Sequence, residues 1–303
     1  MKADLFVNSD TFKYIEGSTE DDVFLKLSDF SELVSYIDSD FNDDTIFIDE
    51  NNFYQAEILP SICMSDLLYI EHDSYENKDV LDILLLLVNR FESIPDTISD
   101  PIAFVNDKQN CSALIVLNKL DDIGISNDKQ ILSTKVDFIN FHRECLIEFP
   151  LATTNEFLEE AKLCFSNLVI HEDNIISLKS VYKSHLKSIV VYLSIMNDYL
   201  ISEFQSNEIY ENNFVDFLNL FKSKHTEIEG ASFQGRFRNA TVKKQYEKCF
   251  LINGEEKKFH CEAHLKMFHD DRGTVSHGRI YFKAIKKNDK YVYIGIINKH
   301  MDD

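Results

Sequence analysis

Only eight glycines and four prolines punctuate 303 residues. A chain with so few tight-turn residues favours helices over many short strands, so strands should be the minority. Hydrophobic residues make up 44%, enough to bury cores and too much for a disordered chain. The length suggests two or three such cores. With 24 Phe and no Trp, those cores are built from Phe, Leu and Ile.

Charge is segregated along the chain. Residues 1–100 hold 24 Asp/Glu against 5 Lys/Arg, whereas 233–300 hold 7 against 15 and half of the ten histidines. A basic tail on an acidic body can attract polyanions while the body repels them. Nonspecific nucleic-acid binding by the whole surface is disfavoured at a net charge of −21; binding by a segregated face is not. The six cysteines show no C-x-x-C spacing, which suits reduced, buried thiols and a cytoplasmic setting. No secretory leader is expected, and the run Ile83 to Val88 is too short for a bilayer, so no membrane partner is expected.

The resulting expectation is α+β. An acidic, mixed α/β regulatory part covers 1–150, with strands at Leu5–Val7, Thr45–Ile48, about Phe53–Ile58 and Ser112–Leu117. A helix covers Asp79–Phe91, and Lys135–Ile147 could extend the sheet. A helical segment, 151–225, packs on that part, opening with a Thr153/Glu156 capping box. A long helix to about Phe204 carries the stripe Leu178, Tyr182, Leu186, Ile189, Leu193, Met196, Leu200, suited to internal packing or to a homodimer or protein partner through 175–204. A further helix runs over about Glu211–Phe221. After a boundary within Lys222–Gly235, a small basic antiparallel β module occupies 226–303.

In that module Phe259–Met267 alternates, with Cys261, Ala263, Leu265 and Met267 on one face and His260, Glu262, His264 and Lys266 on the other. Arg279–Ala284 and Tyr291–Ile297 also alternate, around a turn at Asn288-Asp289. A strand near Gln234–Val242 would carry Arg236 and Arg238 on one face. An ordinary solvated sheet face explains much of this, yet the mixture also suits cleavage of RNA through its 2′-hydroxyl without a metal. That reaction needs a base, an acid and cations for the phosphorane. Glu262 and His264 are the candidate base and acid. Lys266, Arg279 and Lys283 are candidate phosphate contacts, and Tyr281 or Tyr293 could stack a base.

The stretches Gly278-Arg279-Ile280-Tyr281-Phe282 and Tyr291-Val292-Tyr293-Ile294-Gly295-Ile296-Ile297-Asn298-Lys299-His300 resemble the closing hairpin of the RelE/ParE/HigB toxin superfamily. Glu262-Ala263-His264-Leu265-Lys266 would fill the preceding strand. The resemblance covers about 45 residues. It implies a messenger-RNA nuclease using basic and aromatic side chains, with Arg279, Tyr281, Lys299 and His300 at the functional strand ends. The helical hairpin expected before such a sheet is not evident between Gly235 and Phe250. A toxin-like module on a larger body also resembles bacterial abortive-infection effectors.

Arg272 and His277 form an R-x4-H pattern, but in a glycine-containing loop rather than at a helix end. His260, Glu262, His264 and His269 do not guarantee the three or four converging ligands that zinc requires. No metal or cofactor is therefore expected, and no P-loop, nucleophile elbow or dinucleotide fingerprint is present. The leading expectation is a bacterial antiphage or stress effector whose C-terminal sheet binds, and in the stronger form cleaves, RNA in preference to DNA. The acidic body regulates it, and salt weakens that hold. The alternatives are a non-enzymatic nucleic-acid- or protein-binding component and an acidic N-terminal nucleic-acid mimic.

Overall fold

The chain forms two units in a computed structural model, Met1–Cys145 and Leu146–Asp303. The structure describes residues 1–70, 74–107, 110–120, 123–206, 213–233, 244 and 246–299. Together they are α+β: a parallel sheet with helices, a helical middle, and a mixed five-stranded sheet. Among the described residues no helix is long and apolar enough to cross a membrane.

In the first unit β1 (Asp4–Val7) lies between β2 (Thr45–Ile48) and β6 (Ser112–Ile115), parallel to both. The two-residue strands β5 (Glu92–Ser93) and β7 (Ile131–Leu132) complete the sheet, in the order β5-β2-β1-β6-β7. The central strands are near-continuous apolar runs, as a sheet covered on both faces requires; β6 is buried at all four positions. The crossover helix α1 (Glu20–Asp40) starts at a Thr19/Asp22 capping box and buries Phe24, Leu27, Phe30, Val34 and Ile37 at helical spacing.

Two strand expectations fail here. The stretch after β2 forms α2 (Glu50–Gln55), capped by Asp49, before the short hairpin strands β3 (Glu57–Leu59) and β4 (Ile62–Cys63). The helices α3 (Met64–Tyr69), α4 (Lys78–Val88) and α5 (Pro101–Asn106) follow. The second failure is α6 (Lys135–Glu148), a helix where a strand could have extended the sheet. Phe138, Phe141, His142, Cys145 and Leu146 are buried at intervals of three and four, and Thr134 and Asp137 exchange hydrogen bonds at its start. Period decides between helix and strand here, over the β-leaning composition.

Cys111 and Cys145 form a disulfide, which corrects the expectation of six reduced thiols. It ties α6 to the residue preceding β6. Cys63, Cys164, Cys249 and Cys261 are not in disulfides.

The second unit joins the expected helical segment to the C-terminal sheet, so the division drawn near 226 runs through one body. The reason is pairing: β8 (Leu168–Ile170), within the helical stretch, runs parallel to β14 (Val292–Lys299). The sheet order is β8-β14-β13-β12-β9, with β9 (Gly230–Phe233), β12 (Ala263–His269) and β13 (Val275–Phe282) antiparallel to their neighbours. Buried Asn174 braces the β8 edge: its Nδ2 donates to the Gly295 carbonyl (3.1 Å) and its Oδ1 accepts from Ile297 N.

The helices are α7 (Thr154–Cys164), with the expected capping box, the short α8 (Asn174–Ser177), α9 (Tyr182–Ile195), α10 (Ile201–Gln205) and α11 (Phe214–Lys224). The single long helix is broken: residues 178–180 tighten into a 3-10 turn, His185 leaves helical geometry, and Met196–Leu200 widen into a π segment. All seven stripe residues are nevertheless buried within this unit.

Candidate functional site

The second sheet has one face buried along its central strands and another that is covered over part of its area. Ala263, Leu265, Met267, Ile280 and Phe282 form the expected apolar side, each fully buried. The face expected to be wet lies under a hairpin, β10 (Glu247–Ile252) and β11 (Glu255–His260). Its two-residue turn, Asn253-Gly254, has positive φ at both positions (53° and 80°), the geometry that suits strand twist. The hairpin's Phe250, Ile252 and Phe259 pack with Tyr246, Cys261, Tyr281, Tyr293, Ile296 and Val169 into a second apolar cluster.

That cluster removes several predicted groups from solvent. Tyr293 packs against Phe250 (5.2 Å between centroids) and Phe259 (4.9 Å), and burial raises its phenol pKa. It cannot stack a base without leaving the cluster. Lys283 is buried, its Nζ 4.9 Å from the Phe259 centroid and bonded to Asp289, so it neutralises a neighbour rather than a phosphate. Tyr281 is fully buried against Tyr246 (4.9 Å) and His264 (5.0 Å).

His264 is 3% exposed and both of its ring nitrogens are engaged. Nδ1–H donates to the Glu262 carbonyl (3.2 Å), which leaves Nε2 to accept from Ser232 Oγ (2.8 Å). Glu262 serves this imidazole through its backbone. The expected carboxylate–imidazole acid/base pair is not formed in this structure.

One polar row remains accessible. Strand register sets Gly230, Lys266, Arg279 and Asn298 side by side across β9, β12, β13 and β14. Lys266, Arg279 and Asn298 are half-buried. Lys266 has no carboxylate partner among the described residues; burial, with the charge of Arg279 added, holds its pKa below the ordinary lysine range. Arg279 donates to the Tyr281 hydroxyl (3.1 Å), and Asn298 Oδ1 is shielded with no hydrogen-bond partner. Two adjacent cations, an amide and little competing carboxylate can hold a phosphate oxygen.

Lys299 is exposed but pairs with Gly278, one residue out of phase with Arg279, and so belongs to the other face. Arg236, Arg238 and His300 lie outside the described residues. Of the predicted set, the fold therefore brings Lys266 and Arg279 together at the surface, with Tyr281 and His264 beneath. Sequence reasoning missed Ser232 and Asn298. Asn298 could have been found from the alternation of β14, whereas Ser232 lies on a four-residue strand with no signal of its own. No family model, curated protein or solved structure matches this chain.

Proposed function

We propose that the Lys266–Arg279–Asn298 row is an RNA-binding surface of a stress or antiphage effector, with the acidic N-terminal unit as its regulator. The observation that carries this reading is the Lys266/Arg279 pair: cross-strand neighbours of like charge, partly desolvated, with no carboxylate between them. Such neighbours repel until an anion sits between them. The basic bias of the last quarter and the toxin-like closing strands support the same choice of ligand.

Binding is the primary activity in this reading. Cleavage without a metal requires His264 Nε2 to exchange Ser232 Oγ for a ribose 2′-hydroxyl; the imidazole then takes that proton as the 2′-oxygen bonds to phosphorus, Lys266 and Arg279 stabilise the phosphorane, and the imidazolium returns the proton to the 5′-oxygen as its bond to phosphorus breaks.

The test is fluorescence anisotropy of the full chain with a short single-stranded RNA across a salt series. Two phosphate contacts give a slope of about −1.4 in log affinity against log salt, or about a sevenfold loss between 50 and 200 mM. Lys266→Ala should reduce the slope by about 0.7. RNA binding unchanged in Lys266→Ala/Arg279→Ala would overturn the assignment. Cleavage assayed in EDTA, with His264→Gln as control, separates a nuclease from a binding protein.

A further inference from the structure

The first unit's sheet changes its winding direction at β1. The chain lays β2 and β5 on one side, then β6 and β7 on the other. Loops leaving the carboxyl ends of parallel strands diverge at such a point and leave a crevice. This unit has one, about 630 Å³, beside the ends of β1, β2 and β5.

Its wall is acidic: Asp10, Asp49, Glu50, Asp96 and Asp100 line it, with no Lys, Arg or His among the lining residues. Two of these carboxylates also have structural duties. Asp49 caps α2, and Asp100 accepts from the Ile102 and Ala103 amides. Asp10 is answered from outside by Lys13 (2.6 Å), and among the described residues Glu50 accepts only a hydroxyl, from Ser93 (3.1 Å). Asp96 has no hydrogen bond or ion pair among the described residues.

An independent feature points to a ligand. Ser9, which opens the 3-10 turn just after β1, lines the same cleft and is more than nine-tenths buried, and its Oγ is shielded with no hydrogen-bond partner. A buried hydroxyl without a partner bears its full desolvation cost, which an incoming N–H would remove.

The spacing selects the kind of cation. No three carboxylates of the cleft bring ligand oxygens within 4.8 Å of one another, which is too open for a single chelated metal. The lining also holds Ile94 and Ile98, half-buried apolar surface that suits methylene segments. We propose that the cleft binds an aliphatic polyamine, with ammonium groups at Glu50, Asp96 and Asp100, alkyl segments against Ile94 and Ile98, and one N–H donated to Ser9 Oγ once that hydroxyl turns to the cleft wall.

The experiment is calorimetric titration of the full chain with spermidine at fixed ionic strength. One-site binding is expected, weakened about tenfold in Glu50→Gln/Asp96→Asn, which leaves both helix caps intact. Ser9→Ala should weaken it as well. The control, Asp29→Asn/Asp43→Asn, removes the same charge from exposed positions outside the cleft and should bind like the parent. Equal weakening in the two double variants would reduce the effect to general attraction by an acidic surface and overturn the proposal. So would binding that does not saturate. Magnesium titrating as one site with the same dependence on Glu50 and Asp96 would also overturn it, in favour of a divalent-ion site.

Discussion

Gly295 is the point where β14, Cys261 and the covering hairpin come closest, and Gly295→Ala should expose that constraint. An added Cβ would stand 2.6 Å from Cys261 Sγ, 2.8 Å from Cys261 Cβ and 3.3 Å from Lys248 Cγ. The first two distances are impossible contacts, and neither partner can retreat easily: Cys261 is fully buried, and β14 is held between β8 and β13. Overpacking of this kind costs about 1–3 kcal/mol. At about 2–4 °C per kcal/mol for a body of this size, about 2 kcal/mol lowers the melting temperature by about 4–8 °C. The geometry also orders a rescue series. Cys261→Ala in the Gly295→Ala background removes only the sulfur contact, whereas Cys261→Gly removes both, leaving the flexible Lys248 stem. Urea unfolding followed by circular dichroism should give a double-mutant coupling of about 1–2 kcal/mol for the Gly295→Ala/Cys261→Gly pair. The Cys261 thiol is pushed by burial up to about 12, so thiolate chemistry does not complicate the reading. A Gly295→Ala protein as stable as the parent, or a cost that does not shrink along the series, refutes the packing argument.

The Cys111–Cys145 bridge closes a loop with a sequence separation of 34, worth about 4 kcal/mol in the chain-entropy treatment. Melting with and without reductant should show this loss, and Cys111→Ser/Cys145→Ser should melt with the reduced protein and no longer respond to reductant. The hairpin is tethered by Lys248 to Asp173, whose pKa is lowered, first by that hydrogen bond. A carboxylate shifted down contributes stability above its unfolded value and loses it as pH falls through the lowered one. Asp173 is half exposed, so Asp173→Asn should cost at most about 1 kcal/mol at pH 7. That difference should vanish in acid once Asp173 itself is protonated, as paired melting curves across pH would reveal.

Much of the architecture could be read from local pattern. The strands at Leu5, Thr45 and Ser112, the Thr153/Glu156 capping box and the alternation of the last three strands are properties of neighbouring residues, and each lies where expected. What alternation could not supply is the second layer. Tyr281, Tyr293, Lys283 and His264 occupy the face opposite the apolar one, and such a face is normally wet. Here a hairpin carrying Phe250 and Phe259 covers it. The clue was Asn253-Gly254 directly after Leu251-Ile252, a strong short hairpin signal that a single strand over Phe259–Met267 leaves unused. The break at Cys261-Glu262 divides that run into β11 and β12. The site was legible only as far as cross-strand register follows from alternation, which found Lys266 and Arg279 but could not say which neighbours lay beneath a lid.

The last strand of the second sheet in the chain is an inner one. With β14 between β8 and β13, Leu168 has no strand partner until Val292 has left the ribosome. At about 5–20 residues per second of synthesis that delay is about ten seconds. Throughout it, the apolar sides of α9 and α11 have no finished sheet to cover, so a nascent chain paused in this interval offers a holdase a large greasy target.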